Sequence, residues 1–327
     1  MYGPRVGKRD KTQEALDSLA QALTEPRSPA ARKALLAALK RRSNLLVQAA
    51  AKAIERHELE GFEAPLVRAF TSALTRPTKS DPGCRAKLAI VRALDRLNAR
   101  ELDVLLAGVT HIQREPVWGG TVDTAAELRG ACAMALVNAH YVDVLDALAV
   151  LLADPERAAR LAAISAIAAT GDARAGVPLL LLLLTRGDDS PEVLQTCCDA
   201  LLSLAPERSF AFVRDQLMHD DTARAEAAAL ALGERRPPGS LDALREFAER
   251  RPLSRGVAAL AIAMLRTDEA WGLLIEQFED GDPAEARSAL EALAVYKEQP
   301  GLRARLEAAC EGLPARQRLL ATIFADA

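Results

Sequence analysis

The sequence predicts an all-α fold, a right-handed α-α superhelix in which helix pairs stack as a solenoid. Three observations carry that expectation. Ala and Leu together exceed a third of the chain, while aromatic residues are 4%. Such a composition suits closely packed helices and disfavours strands, which draw on β-branched and aromatic side chains. The length of 327 residues, half of them apolar and 27% charged, exceeds one ordinary core and implies domains or a repeat array. An internal register, set out below, decides for the array.

Taken in chain order, segments 12–24, 29–42, 45–57 and 62–75 each carry an apolar stripe at helical spacing. Their register is irregular, as in a capping region, and 1–80 is read as a divergent, basic N-terminal helical cap. Arg76 to Ser80 (RPTKS) reads as a basic turn. From Asp81 onward one helix pattern recurs, beginning at Asp81, Asp123, Asp154 and Asp188 and then near His219, Arg250 and Gly281. The steps are 42, 31, 34, 31, 31 and 31 residues. Numbering from each start, position +12 is Ala93, Ala135, Ala166, Ala200 and Ala231, and +13 is Leu94, Leu136, Ile167, Leu201 and Leu232. Position +9 is Ile90, Cys132, Ala163, Cys197 and Ala228. Spacings of three and four put these on one helix face, where small residues permit close approach. Position +6 is basic at Lys87, Arg129, Arg160 and Arg287. The Asp at position zero reads as an N-cap, with Pro82 and Pro155 at the first helical position. Partner helices are expected over 142–153, 173–186, 207–219, 241–250 and 269–280, and closing helices over 302–310 and 315–325. The resulting division is a cap (1–80), repeats (81–296) and C-terminal capping helices (297–327), with roughly eight to nine repeats in all.

The stretch 154–171 (DPERAARLAAISAIAATG) resembles the second helix of a HEAT repeat, in particular the HEAT-like repeats of phycobilisome lyases. The shared pattern is Asp-Pro, an apolar-Arg pair, small and apolar residues at helical spacing, then Gly. The resemblance implies a HEAT-like solenoid and a binding habit rather than a reaction. It also implies a structural ladder in which Lys87, Arg129 and Arg160 pair with acids such as Asp123 and Asp154 of neighbouring repeats.

The 42-residue step contains a surplus of about eleven residues over 111–122 (HIQREPVWGGTV), between the two helices of one repeat. Long loops in regular arrays are often functional. This one concentrates His111, Arg114, Glu115, Gly119, Gly120 and Trp118, one of two tryptophans in the chain. Trp and Arg are enriched in binding hot spots. Trp118, supported by Arg114 and Glu115, is expected to form a partner-contacting knob; the structural alternative is a plug folded over adjacent repeats. Asp123 would cap the following helix and Arg129 would tie it to its neighbour.

Charge is uneven beneath a net of −3: residues 1–100 carry 20 Lys+Arg against 10 Asp+Glu, and 101–327 carry 22 against 35. A basic end can meet nucleic acid, an anionic surface, an acidic protein or the acidic end of another copy. Five cysteines lack CxxC spacing, so buried free thiols are expected rather than disulfides or zinc. The apolar run 177–184 is far short of the ~20 residues of a membrane span, and no apolar stretch follows the basic first residues, so no secretory signal is expected. A cytoplasmic protein is expected, with no cofactor, no metal and no catalytic residues.

HEAT-type deoxyhypusine hydroxylases bind iron through several His-Glu pairs; this chain has one, His57-Glu58. HEAT-like alkylpurine DNA glycosylases use a basic concave face, whereas the concave positions expected here are small or acidic: Ala158, Ala162, Ser165, Glu192, Asp199 and Glu226. The leading expectation is a non-catalytic scaffold or adaptor with a protein partner. The alternatives are a lyase or modification subunit of the phycobilisome-lyase type, or nucleic-acid binding through the basic N-terminal end.

Overall fold

The computed structural model describes residues 8–324, so the ends of the expected basic cap and of the last expected helix lie outside the described residues. The chain folds as two compact units, Met1–Thr170 and Gly171–Ala327. The first contains α1 (Lys8–Ala22), α2 (Pro29–Leu39), α3 (Asn44–His57), α4 (Glu63–Leu74), the one-turn α5 (Pro77–Ser80), α6 (Arg85–Arg96), α7 (Leu102–Val109), α8 (Ala126–Asn138), α9 (Val144–Leu151) and α10 (Arg157–Thr170). Helices pair as α2/α3, α4/α6, α7/α8 and α9/α10, and α3, α6, α8 and α10 stack side by side as one layer.

The second unit contains α11 (Ala173–Arg186), α12 (Pro191–Leu204), α13 (Pro206–Gln216), α14 (Thr222–Arg235), α15 (Ser240–Arg250), α16 (Arg255–Met264), α17 (Asp268–Asp280), α18 (Pro283–Ala294), α19 (Leu302–Ala309) and α20 (Pro314–Phe324). Here α12, α14, α16 and α18 form the stacked layer, and α11, α13, α15 and α17 pack against it. Each unit is thus a stack of antiparallel helix pairs, the all-α solenoid that the register predicts. No helix among the described residues is long and apolar enough to cross a membrane. The apolar run expected to be buried lies in α11, where Val177, Leu180, Leu183 and Leu184 face the core while Leu182 is exposed.

Local chemistry explains the boundaries. Ser28 accepts from the Ala31 N–H at 3.1 Å ahead of Pro29, and Asp282 with Glu285 forms a capping box ahead of Pro283. The small-apolar pairs from Ala93-Leu94 to Ala231-Leu232 are all buried. In the last two copies the equivalent buried pairs are Ala261-Ile262 and Ala292-Leu293, one residue earlier than starts at Arg250 and Gly281 imply. Close stacking is literal at Gly130 of α8, where a Cβ would collide with the Ala162 methyl of α10. All five cysteines are buried and free, and burial pushes the Cys84 and Cys198 thiols up to about 12.

The surplus segment is not an irregular loop. It forms a β-hairpin of β1 (Arg114–Val117) and β2 (Gly120–Asp123), paired antiparallel from Arg114↔Asp123 to Val117↔Gly120. Trp118 and Gly119 make the turn, and Gly119 takes φ 85, the left-handed position that glycine occupies without strain. The basic turn RPTKS contains one helical turn, α5.

Candidate interface on the inserted hairpin

The hairpin rises between α7 and α8, and its base is locked by buried polar groups. Gln113, 1% exposed, donates from Nε2 to the Asp81 carbonyl at 2.8 Å and to Glu115 Oε1 at 2.6 Å. The same Glu115 oxygen accepts from the Gly83 N–H at 2.7 Å and the Thr124 hydroxyl at 3.1 Å. Asp123 accepts from the N–H groups of Gln113 (3.0 Å) and Ala125 (2.9 Å) through Oδ1, and from Arg129 Nη1 (2.7 Å) through Oδ2. Arg129 also donates to the His111 carbonyl at 2.9 Å, and its Nε and Nη2 form a fork onto Asp154 at 2.8 and 2.9 Å. One guanidinium therefore clamps both ends of the hairpin segment to each other and to the start of the next repeat.

The electrostatics follow from these contacts. Burial acts to raise the Glu115 carboxyl, but the Gln113 amide, the Gly83 N–H and the Thr124 hydroxyl outweigh it and hold the group below the usual carboxylate range. Burial opposes Asp123 in the same way and is outweighed by the Ala125 and Gln113 N–H groups and by Arg129. Both therefore stay ionised at neutral pH. Burial, with Lys87 and Arg129 nearby, lowers the His111 imidazole, so this ring is neutral at pH 7.

Above the base the hairpin is open to solvent. Trp118 is 103% exposed and Val117 50%. Trp118 is therefore not folded back over neighbouring repeats. The other tryptophan, Trp271, behaves as a core residue: it is buried and its indole N–H donates to the Ala263 carbonyl at 3.0 Å. Beside the hairpin base lies a groove of about 720 Å³ on the α3, α6 and α8 layer, with Lys52, Arg85 and Arg92 set against Glu55 and Glu127.

The structure sorts the residues singled out in the sequence. Trp118 forms the tip, Gly119 supplies the turn, Gly120 opens β2, and Arg114 is exposed at the start of β1. Glu115 and His111 were expected to face a partner; both instead turn inward. Glu115 is engaged by three donors, and the half-buried His111 ring lies 3.3 Å from Gln113 Oε1. Asp123 sits two residues ahead of the N-cap, Ala125, rather than at it. Gln113 and Thr124 were missed, since neither belongs to a recurrent column.

The ladder is also redistributed. Arg129 joins adjacent repeats through Asp154, whereas Lys87 pairs at 3.1 Å with Asp81 of its own repeat, both wholly buried. Arg160 donates to the Asp154 and Pro155 carbonyls at 2.9 Å. Arg287 is exposed and pairs with Glu291 along its own helix. Farther down the chain the inter-repeat contact is made instead by Arg255, which reaches Asp282 at 3.3 Å and Glu285 at 3.7 Å. That arginine stands at position +5 from Arg250, again one residue out of the expected register.

Stacked helix pairs, buried small-apolar columns and arginine links between repeats define the class as an all-α solenoid. A family model described as HEAT repeats matches residues 177–263, from α11 to α16. A comparison with curated proteins gave no match.

Proposed function

We propose that the chain is a non-catalytic HEAT-repeat scaffold or adaptor, and that the hairpin tip is where it holds a protein partner. The observation that carries this reading is Trp118, a fully exposed tryptophan on a base fixed by buried charged and polar groups. A Trp side chain exposes roughly 150–250 Å² of largely apolar surface, so covering it returns about 4–6 kcal/mol gross. Much of the ordering penalty of binding is already met, because the base of the hairpin is held before any partner arrives. Arg114, exposed at the start of β1, adds a cation suited to a partner carboxylate.

Within the HEAT class, the Asp-Pro and apolar-Arg pattern of 154–171 supports a place near the phycobilisome-lyase repeats; it transfers a repeat type and no reaction. The five free cysteines support a reducing compartment such as the cytoplasm.

The test is Trp118→Ala, with thermal melting and partner capture measured on the same preparations. The expected result is an unchanged melting curve and loss of the partner, since hot-spot truncation costs ~2 kcal/mol or more in binding. Lost stability with retained binding would refute the assignment.

A further inference from the structure

The first unit carries a second feature, distinct from the hairpin tip. A cleft of about 730 Å³ opens among α2, α3, α4 and α5. Six cations line it: Lys40, Arg41, Arg42, Arg68, Arg76 and Lys79. No carboxylate belongs to its lining, and among the described residues none of the six forms an ion pair. The C-termini of α2 and α4 supply roughly half a negative charge each, which leaves most of this positive charge uncompensated. Like charges gathered around one cleft repel one another, an arrangement that an anionic occupant relieves. The floor is aliphatic, with Leu36, Leu39, Val47 and Pro65 beneath the cationic rim.

We propose that this cleft is a docking site for an acidic peptide segment of a partner protein, one that carries an aliphatic anchor between its carboxylates. The volume is that of a site for one drug-sized molecule or a few peptide residues. Arg forks on the rim take carboxylates in bidentate fashion, and the floor takes the anchor. A nucleic-acid strand fits the lining less well. Its phosphates would use the rim, but no aromatic side chain lines the cleft to stack a base, and the aliphatic floor would go unused. The proposal extends the adaptor reading to a second site but does not depend on Trp118, so the two can fail separately.

The test uses the full chain and fluorescence anisotropy with three labelled probes: a short peptide of alternating Glu and Leu pairs, an all-Glu peptide of the same length, and a single-stranded oligothymidylate. Binding is compared in wild type, in Arg42→Glu/Arg68→Glu, and in Arg208→Glu/Arg245→Glu, which makes the same charge change at exposed positions of the second unit. The Glu/Leu peptide should bind wild type saturably at low salt, weaken at least about tenfold in the cleft variant and stay unchanged in the control. It should also bind about tenfold tighter than the all-Glu peptide, and Trp118→Ala should leave it unaffected. Should charge reversal alter the melting curve, Arg42→Gln/Arg68→Gln supplies the same comparison. Absent saturable binding, equal binding to the cleft and control variants, or equal affinity for the all-Glu peptide would overturn the proposal. So would oligothymidylate binding as tight as the Glu/Leu peptide with the same dependence on Arg42 and Arg68, which would make the cleft a nucleic-acid site.

Discussion

Asp199 shows how a single side chain in a stacked layer acquires an unusual energy. It lies on α12, its side chain 19% exposed, with Arg235 Nε at 3.6 Å. Burial pushes its carboxyl up to about 6, against the pull of Arg235 and with a further push from Glu234. A carboxyl with a raised folded-state pKa holds its proton more tightly in the native state. Its contribution is therefore fully present below the unfolded value of about 4 and fades as pH rises through about 6. Above that the ionised form opposes folding. Asp199→Asn, which keeps the shape and cannot ionise, is expected to raise the melting temperature at neutral pH and to leave it unchanged below about pH 4. Melting curves across that range check it, and a difference independent of pH would contradict it. The sequence marked Asp199 as an acidic concave position; its shifted titration was not legible there, because it depends on how deeply α12 packs.

At the scale of elements, the recurrent helices were legible and the inserted element was not. Small-apolar columns at +12 and +13 locate the buried face of each stacked helix, and 173–186 coincides with α11. The hairpin escaped because β1 and β2 are four residues each and polar for much of their length, so neither gives a clear alternation. Its brace joins Asp81, Gly83, Gln113, Glu115, Asp123, Thr124, Arg129 and Asp154 across three repeats, a grouping that sequence separation hides. Arg129 holds that brace together. Arg129→Met leaves Asp123 and Asp154 as poorly compensated carboxylates, their side chains 9% and 10% exposed. Removing one partner of a buried ion pair typically costs ~3–5 kcal/mol. A loss of that size in denaturant unfolding, together with faster amide exchange at Gln113 and Thr124, is expected. Stability within about 0.5 kcal/mol of wild type, the level of an ordinary surface change, would show that the clamp is dispensable.

For the whole molecule, the sequence conveyed the class of fold and the imbalance of charge, while the structure adds where that charge and the exposed aromatic residue fall. The basic excess of residues 1–100 predicts a basic end; six of its cations converge on one cleft. The surplus of residues in one repeat folds as a hairpin that presents Trp118 on a fixed base. The central claim, that this tip receives a protein, is tested most directly by replacing Trp118 with a photo-crosslinking aromatic amino acid and irradiating in the source cell. Leu253 is the control position, because it is 99% exposed and apolar but sits on a short turn remote in sequence from the brace. A discrete protein adduct from position 118, competed by unmodified chain but not by Trp118→Ala, and absent from position 253, is the expected result. No adduct at 118, or the same adducts from both positions, would contradict the claim.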